Sequence, residues 1–148
     1  MRAVAAALLL AGCVRSPYVE PEGANTARLT VHNATGEMLP LDTFEDGAEC
    51  SGRRALDRGG VPAGDVWTVR IHAAEPFTLA AHGSGGATYC TAAVTFVPAA
   101  GESYLAIYRL GSGKCSIQVG RRTSERYAAR TAYVLEASAR QRDEPACR

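Results

Sequence analysis

The sequence predicts a mainly β domain: an antiparallel sandwich of roughly six to seven short strands, with a C-terminal helix as an option. Three observations carry this. Apolar residues alternate with polar ones over short runs, turn-forming residues separate those runs, and four cysteines remain in the folded part of the chain. A chain of 148 residues holds one such domain once its first segments are set aside.

Residues 1–12 read as a signal peptide. Arg2 is a short positive start, and Ala3 to Leu10 is an unbroken apolar run, far below the ~20 residues of a membrane-spanning helix. Leu10-Ala11-Gly12-Cys13 resembles the lipobox of bacterial lipoproteins. That resemblance implies cleavage before Cys13, lipidation (palmitate) of its thiol, and stable anchoring by more than one acyl chain. Val14 stands where an aspartate would retain such a protein at the inner membrane, so the resemblance implies the outer membrane, facing the periplasm or the cell surface. Residues 13–26 form the lipidated cysteine and a tether, with Pro17 and Pro21 and no apolar period. Residues 27–148 form the domain and its tail.

Without Arg2, the sixteen basic residues fall to fifteen, matching fifteen acids. A neutral surface argues against nucleic acid, which needs a net basic footprint. Lys114 is the sole lysine. With Cys13 given to lipid, Cys50, Cys90, Cys115 and Cys147 remain, an even set that reads as two disulfides in an oxidising compartment. No pair has the C-x-x-C spacing of a zinc site.

The strands follow in order. Residues 26–33 alternate with Leu29 and Val31 inward and end in the turn Asn33-Ala34-Thr35-Gly36. This Asn-Ala-Thr also fits a glycosylation acceptor, but in an exported bacterial chain it reads as a turn. Residues 37–63 are irregular, with short edge strands near 39–44 and 53–56. Trp67, Val69 and Ile71 share one face of 66–72; Phe77, Leu79 and Ala81 share one face of 76–82. Cys90, Ala92, Val94 and Phe96 point inward from 88–97. Residues 103–110 are apolar on both faces, as in a central strand, and Cys115, Ile117 and Val119 point inward from 114–120. From Thr123 to Arg142, Tyr127, Ala128, Thr131, Val134, Leu135 and Ala139 approximate helical spacing, although 130–135 also suits a strand. The spacing predicts a helix, with a strand over 130–135 as the alternative.

If 88–97, 103–110 and 114–120 are consecutive hairpins, Cys90 and Cys115 flank the middle strand, ~10 Å apart. That exceeds the ~7 Å Cα limit of a disulfide. Two connectivities remain, and Cys50–Cys90 with Cys115–Cys147 is preferred to Cys50–Cys115 with Cys90–Cys147, because it pins the 37–63 loop to the sheet and ties down the tail.

Chemistry-bearing motifs are few. Gly111-Ser112-Gly113-Lys114-Cys115 fails as a phosphate loop, with Tyr108 in place of the first glycine and Cys115 in place of Ser/Thr. His32, His72 and His82 read as surface residues; pairing 66–72 with 77–82 sets the latter two ~13–20 Å apart. Asp42, Glu45, Asp46 and Glu49 match no calcium loop and read as a solvated turn. No serine sits in a nucleophile elbow. Neither a metal nor a cofactor is expected. The arginines at 121, 122, 126, 130, 140, 142 and 148, against four acids, suit a solvated face or proximity to anionic headgroups at ~1 kcal/mol each.

The domain resembles small bacterial lipoproteins of unknown function with a disulfide-bearing β-sandwich, through Cys50-Ser51-Gly52-Arg53, Pro76-Phe77-Thr78, Cys90, Phe96-Val97-Pro98, Gly101 and Tyr104. Pro21-Glu22-Gly23-Ala24 resembles the name motif of PEGA domains, also extracytoplasmic sandwiches. The resemblance and the empty catalytic search imply a non-enzymatic interaction or accessory module of the envelope, partnered by the membrane and an envelope protein. The alternative is a small-ligand or glycan-binding lipoprotein with Trp67, Tyr104 and Tyr108 as an aromatic platform.

Overall fold

The structure is a computed structural model that describes residues 16–57, 59–85, 88–127 and 130–142. The expected signal segment at 1–12, Cys13 and Cys147 lie outside the described residues. Eleven strands form two sheets among the described residues. One sheet has six: β1 (Ser16–Pro17), β4 (Ser51–Ala55), β3 (Leu41–Asp46), β6 (Phe77–Gly85), β7 (Thr88–Phe96) and β11 (Arg140–Arg142), in that spatial order. The other has five: β10 (Arg130–Leu135), β9 (Lys114–Tyr127), β8 (Ser103–Gly111), β2 (Thr26–Asn33) and β5 (Val66–His72).

Alternation explains the core. Leu29, Val31, Val69, Ile71, Tyr104, Ala106, Tyr108, Ile117 and Val119 line one inner face; Phe77, Leu79, Ala81, Ala92, Val94 and Phe96 line the other. Each fully buried large apolar side chain contributes about 1.5–3 kcal/mol. Phe77, Phe96 and Tyr104 interlock across the sandwich with centroid separations of 6.0 and 5.2 Å, the spacing that aromatic quadrupoles favour.

The strands near 39–44 and 53–56 appear as β3 and β4, and β8 lies at the middle of its sheet. Three expectations are corrected. Both sheets are mixed, because β2 runs parallel to β8, and β1 to β4. The tail has no helix among its described residues; 130–135 is strand β10, antiparallel to β9. Its Thr131, Tyr133 and Val134 are β-favouring residues, and β9 offers a long partner edge.

The third correction concerns connections. Segments 66–72 and 77–82 do not pair, nor do 88–97 and 103–110. Each connection crosses from one sheet to the other, so β7 stacks over β9 instead of sitting two strands away. Residues 97–102 make this crossing and dock on β2: Gly101 N–H donates to Thr26 O at 2.8 Å, and Arg28 N–H to Glu102 O at 2.9 Å.

From Ser16 onward, the expected tether lies on the sandwich. Tyr18 N–H donates to Ala55 O at 2.8 Å, its ring meets Phe77 edge-on at 6.4 Å, and Pro21 is buried. Burial, followed by the Glu20 charge, pushes the Tyr18 hydroxyl up to about 12. The physical cause of the docking is the open edge of β5. Arg70 N–H donates to Glu20 Oε2 at 3.0 Å, and Tyr18 OH donates to Arg70 O at 3.3 Å.

Candidate functional site

The predicted cysteines pair differently from expectation. Cys90 and Cys115 form a disulfide, with Cα atoms 6.0 Å apart. The hairpin geometry that argued against it is absent: Cys90 on β7 and Cys115 on β9 face each other between the layers. The expected Cys50–Cys90 and Cys115–Cys147 pairs are therefore overturned. Cys50 is itself disulfide-bonded.

The aromatic platform also separates. Tyr104 and Tyr108 are core residues, essentially closed to solvent. Tyr104 OH accepts from Ala99 N–H at 2.9 Å, while Tyr108 OH donates to Cys90 O at 3.0 Å. Burial raises both hydroxyl pKa values. Of the three, Trp67 is the one found beside a surface cavity. It lines a cavity of about 420 Å³ with Pro17, Tyr18, Asp57 and Val69. Its indole Nε1 is buried with no hydrogen-bond partner among the described residues.

Sequence reasoning missed a polar cluster on the opposite side of the six-stranded sheet. Asp42, expected in a solvated turn, and His82, expected at the surface, are both buried. Asp42 Oδ2 lies 2.8 Å from His82 Nε2 and accepts from Arg53 Nε at 2.6 Å. His82 Nδ1 lies 3.0 Å from Thr91 Oγ1, and its ring stacks on exposed Tyr89 at 6.5 Å. Burial raises the Asp42 pKa, but hydrogen bonds from His82 and Arg53, with their charges, outweigh it and leave the net value below the usual carboxylate range. These contacts join β3, β4, β6 and β7 side by side.

The cover over this face comes from the β3–β4 turn. Asp46 Oδ1 accepts from Ala48 N–H at 2.8 Å and Glu49 N–H at 3.1 Å, closing the turn. Gly47 lies against Thr78, where a Cβ would stand 1.9 Å from the hydroxyl oxygen. Arg142 of β11 donates to Gly47 O at 2.6 Å, and Cys50 packs against Phe44, Ala80 and Ala93. One signal was present: Leu79-Ala80-Ala81 is apolar at three successive positions, and a continuous apolar run fits a strand covered on both faces, as the burial of Phe77 to Ala81 bears out.

The sheet edges complete the surface. β1 and β11 are edges of only two and three residues, and residues 18–20 partly cover β5. β10 is different. No described residue pairs with its outer edge, and Tyr133, Val134 and Leu135 are 40%, 48% and 72% exposed.

Fold and cysteines together define a small disulfide-bearing β-rich domain. Compared with known proteins, the chain matches no family model and no curated protein.

Proposed function

We propose that this chain is a lipid-anchored, extracytoplasmic protein of the outer membrane, acting as a non-enzymatic interaction module of the cell envelope. The observation that carries the interaction reading is the outer edge of β10, which no described residue pairs, with its three exposed apolar side chains. An unpaired edge offers backbone donors and acceptors to an incoming strand, and apolar neighbours add affinity. The occupant that fits is an extended segment of another envelope protein. The Cys90–Cys115 bond suits an oxidising compartment, and the lipobox resemblance supplies the anchor at Cys13. The PEGA-like Pro21-Glu22-Gly23-Ala24 agrees with the location without specifying a ligand.

A photo-crosslinker placed at Leu135 in intact cells is expected to trap a discrete adduct that one placed at Thr68 does not. Adducts of the same mass and yield from both positions would count against β10. Palmitate incorporation tests the anchor separately: equal labelling of wild type and Cys13→Ala rules it out.

One observation favours the small-ligand or glycan reading, namely the unpartnered Trp67 indole beside its cavity. Trp67 is the only tryptophan, so its intrinsic fluorescence reports on that cavity alone. A saturable emission change with a soluble glycan, lost in Trp67→Phe by a binding assay without fluorescence, would favour this reading over the first.

A further inference from the structure

We infer that the outer face of the five-stranded sheet binds an acidic polysaccharide, with Arg28 and Arg70 receiving its carboxylates and the hydroxyls beside them receiving its sugar hydroxyls. This site is separate from the β10 edge and the Trp67 cavity and needs neither. The distribution of charge points to it first. Over the whole chain, basic and acidic residues nearly balance, sixteen against fifteen. On this sheet they do not: β2, β5, β8 and β10 contain no Asp or Glu, nor does β9 from Lys114 to Arg122. Arg28, Arg70, Arg109, Lys114 and Arg122 are exposed, at strand positions that alternate with the buried core residues, and so project from the outer face. The acids Asp42, Glu45 and Asp46 belong to β3, in the other sheet.

The register concentrates this charge. Arg28 stands directly opposite Arg70 on β5 and, on its other side, Ser103 on β8. The three form one row about 10 Å long across neighbouring strands. Two residues farther along, Thr30 is opposite Thr68, with their hydroxyls 3.0 Å apart. The hydroxyl pair thus lies about 7 Å from the arginine pair. Like charges at directly opposed positions weaken a sheet, and one carboxylate serves both arginines: Glu20 Oε2 lies 3.2 Å from Arg70 Nε. Arg28 makes no ion pair among the described residues. A cavity of about 250 Å³ opens at this row, with Arg28, Arg70, Ser103 and Glu102 in its lining. Glu102 is not ion-paired with either arginine.

The groups select the occupant. A guanidinium fork receives a carboxylate through two parallel hydrogen bonds. The hydroxyls of Thr30, Thr68 and Ser103 both donate and accept, as sugar hydroxyls do. A polyuronate carries both groups at short, regular spacing. An acidic peptide fits less well, because β2, β8 and β9 each have a strand on both sides. The face therefore offers none of the main-chain groups through which a sheet edge takes up a peptide.

The test is calorimetric titration of the full chain with polygalacturonate, neutral dextran, polyglutamate of matched charge, and phosphatidylglycerol vesicles. Polygalacturonate is expected to bind saturably and more weakly at high salt, and dextran not at all. Polyglutamate, lacking the hydroxyls, is expected to bind at least about tenfold more weakly. Arg28→Gln is expected to weaken polygalacturonate binding about tenfold. Its urea midpoint should be unchanged or higher, because the substitution relieves the repulsion with Arg70. Arg140→Gln, the same change on the other sheet, is expected to leave binding unchanged. Absent polygalacturonate binding, equal affinity for polyglutamate, binding confined to the vesicles, or equal loss in the two arginine variants would each overturn the site. The crosslink at Leu135 and the Trp67 emission report on the other two readings alone.

Discussion

Asp42 on β3 and His82 on β6 meet at 2.8 Å on the side of their sheet that faces away from the main core. With Arg53 and Thr91 they hold four strands in register, and the Asp42 side chain is closed to the surface. Removing one member of a buried charged group leaves the others uncompensated, at about 3–5 kcal/mol. Asp42→Asn is expected to lose about 3 kcal/mol at neutral pH, read by urea unfolding. Because the folded Asp42 pKa lies below its unfolded value, the native state holds fewer protons there. Its stabilising share is complete above the unfolded carboxylate range, about pH 4, and is lost as pH falls through the lower folded value. The gap between wild type and Asp42→Asn should therefore narrow on acidification. A constant gap would contradict the linkage.

The Cys90–Cys115 bond closes a segment with a sequence separation of 25 residues. Chain-entropy arguments put its stabilisation at about 3 kcal/mol. Cys90→Ser with Cys115→Ser is expected to unfold at correspondingly lower urea than wild type. Non-reducing peptide mapping should recover Cys90 joined to Cys115. With Cys13 assigned to lipid, the cysteine count leaves Cys147 as the expected partner of Cys50, and a Cys50–Cys90 peptide would refute both assignments.

Gly83 lies directly under the ring of Tyr108. A Cβ there would stand 2.4 Å from the phenol oxygen, which is itself held by Cys90 O. Gly83→Ala must displace a fixed core aromatic and is expected to cost about 1–3 kcal/mol. Wild-type thermal stability in that variant would show that Tyr108 moves freely.

Asn33 is buried, and its Nδ2 donates to Glu37 O, Val61 O and Pro62 O at 2.6, 2.9 and 3.1 Å. Its Oδ1 accepts from Thr35 N–H at 3.0 Å. The Asn-Ala-Thr sequence is therefore a turn whose amide has no room for a sugar in the folded state. Asn33→Ala leaves several buried groups unpaired and is expected to lose about 3 kcal/mol. A loss below about 1 kcal/mol would show that those carbonyls find other partners.

What was legible in the sequence was local. β2, β5 and the first part of β9 alternate cleanly, and their inward residues form or line the core. Which strands share a sheet was not, because alternation reports a strand's two faces but not its neighbours. Pro98 to Gly101 looks like a hairpin turn, yet it spans the gap between layers, and that one substitution of neighbours moved Cys90 from two strands away to bonding distance of Cys115. His82 was misread for a related reason: it is enclosed by Arg53 and Asp42 from neighbouring strands and by the ring of Tyr89, contacts that no local period records. At β10, Tyr133, Val134 and Leu135 fit a helix or a strand equally in spacing, and the free edge of β9 decided the outcome.

The order of the cysteines along the chain has a consequence for biogenesis. If the chain is exported amino end first, Cys50 and Cys90 reach the oxidant before Cys115 does. A catalyst that joins domain cysteines as they emerge would make Cys50–Cys90, which the native sandwich excludes. Nor can early folding prevent this, since β2 waits for β8, a parallel partner more than 70 residues later, before its sheet has a centre. Correct maturation thus calls for either a delay until the β9 segment has crossed or an isomerase that undoes the first bond. Cells lacking disulfide isomerase activity should accumulate the Cys50–Cys90 form.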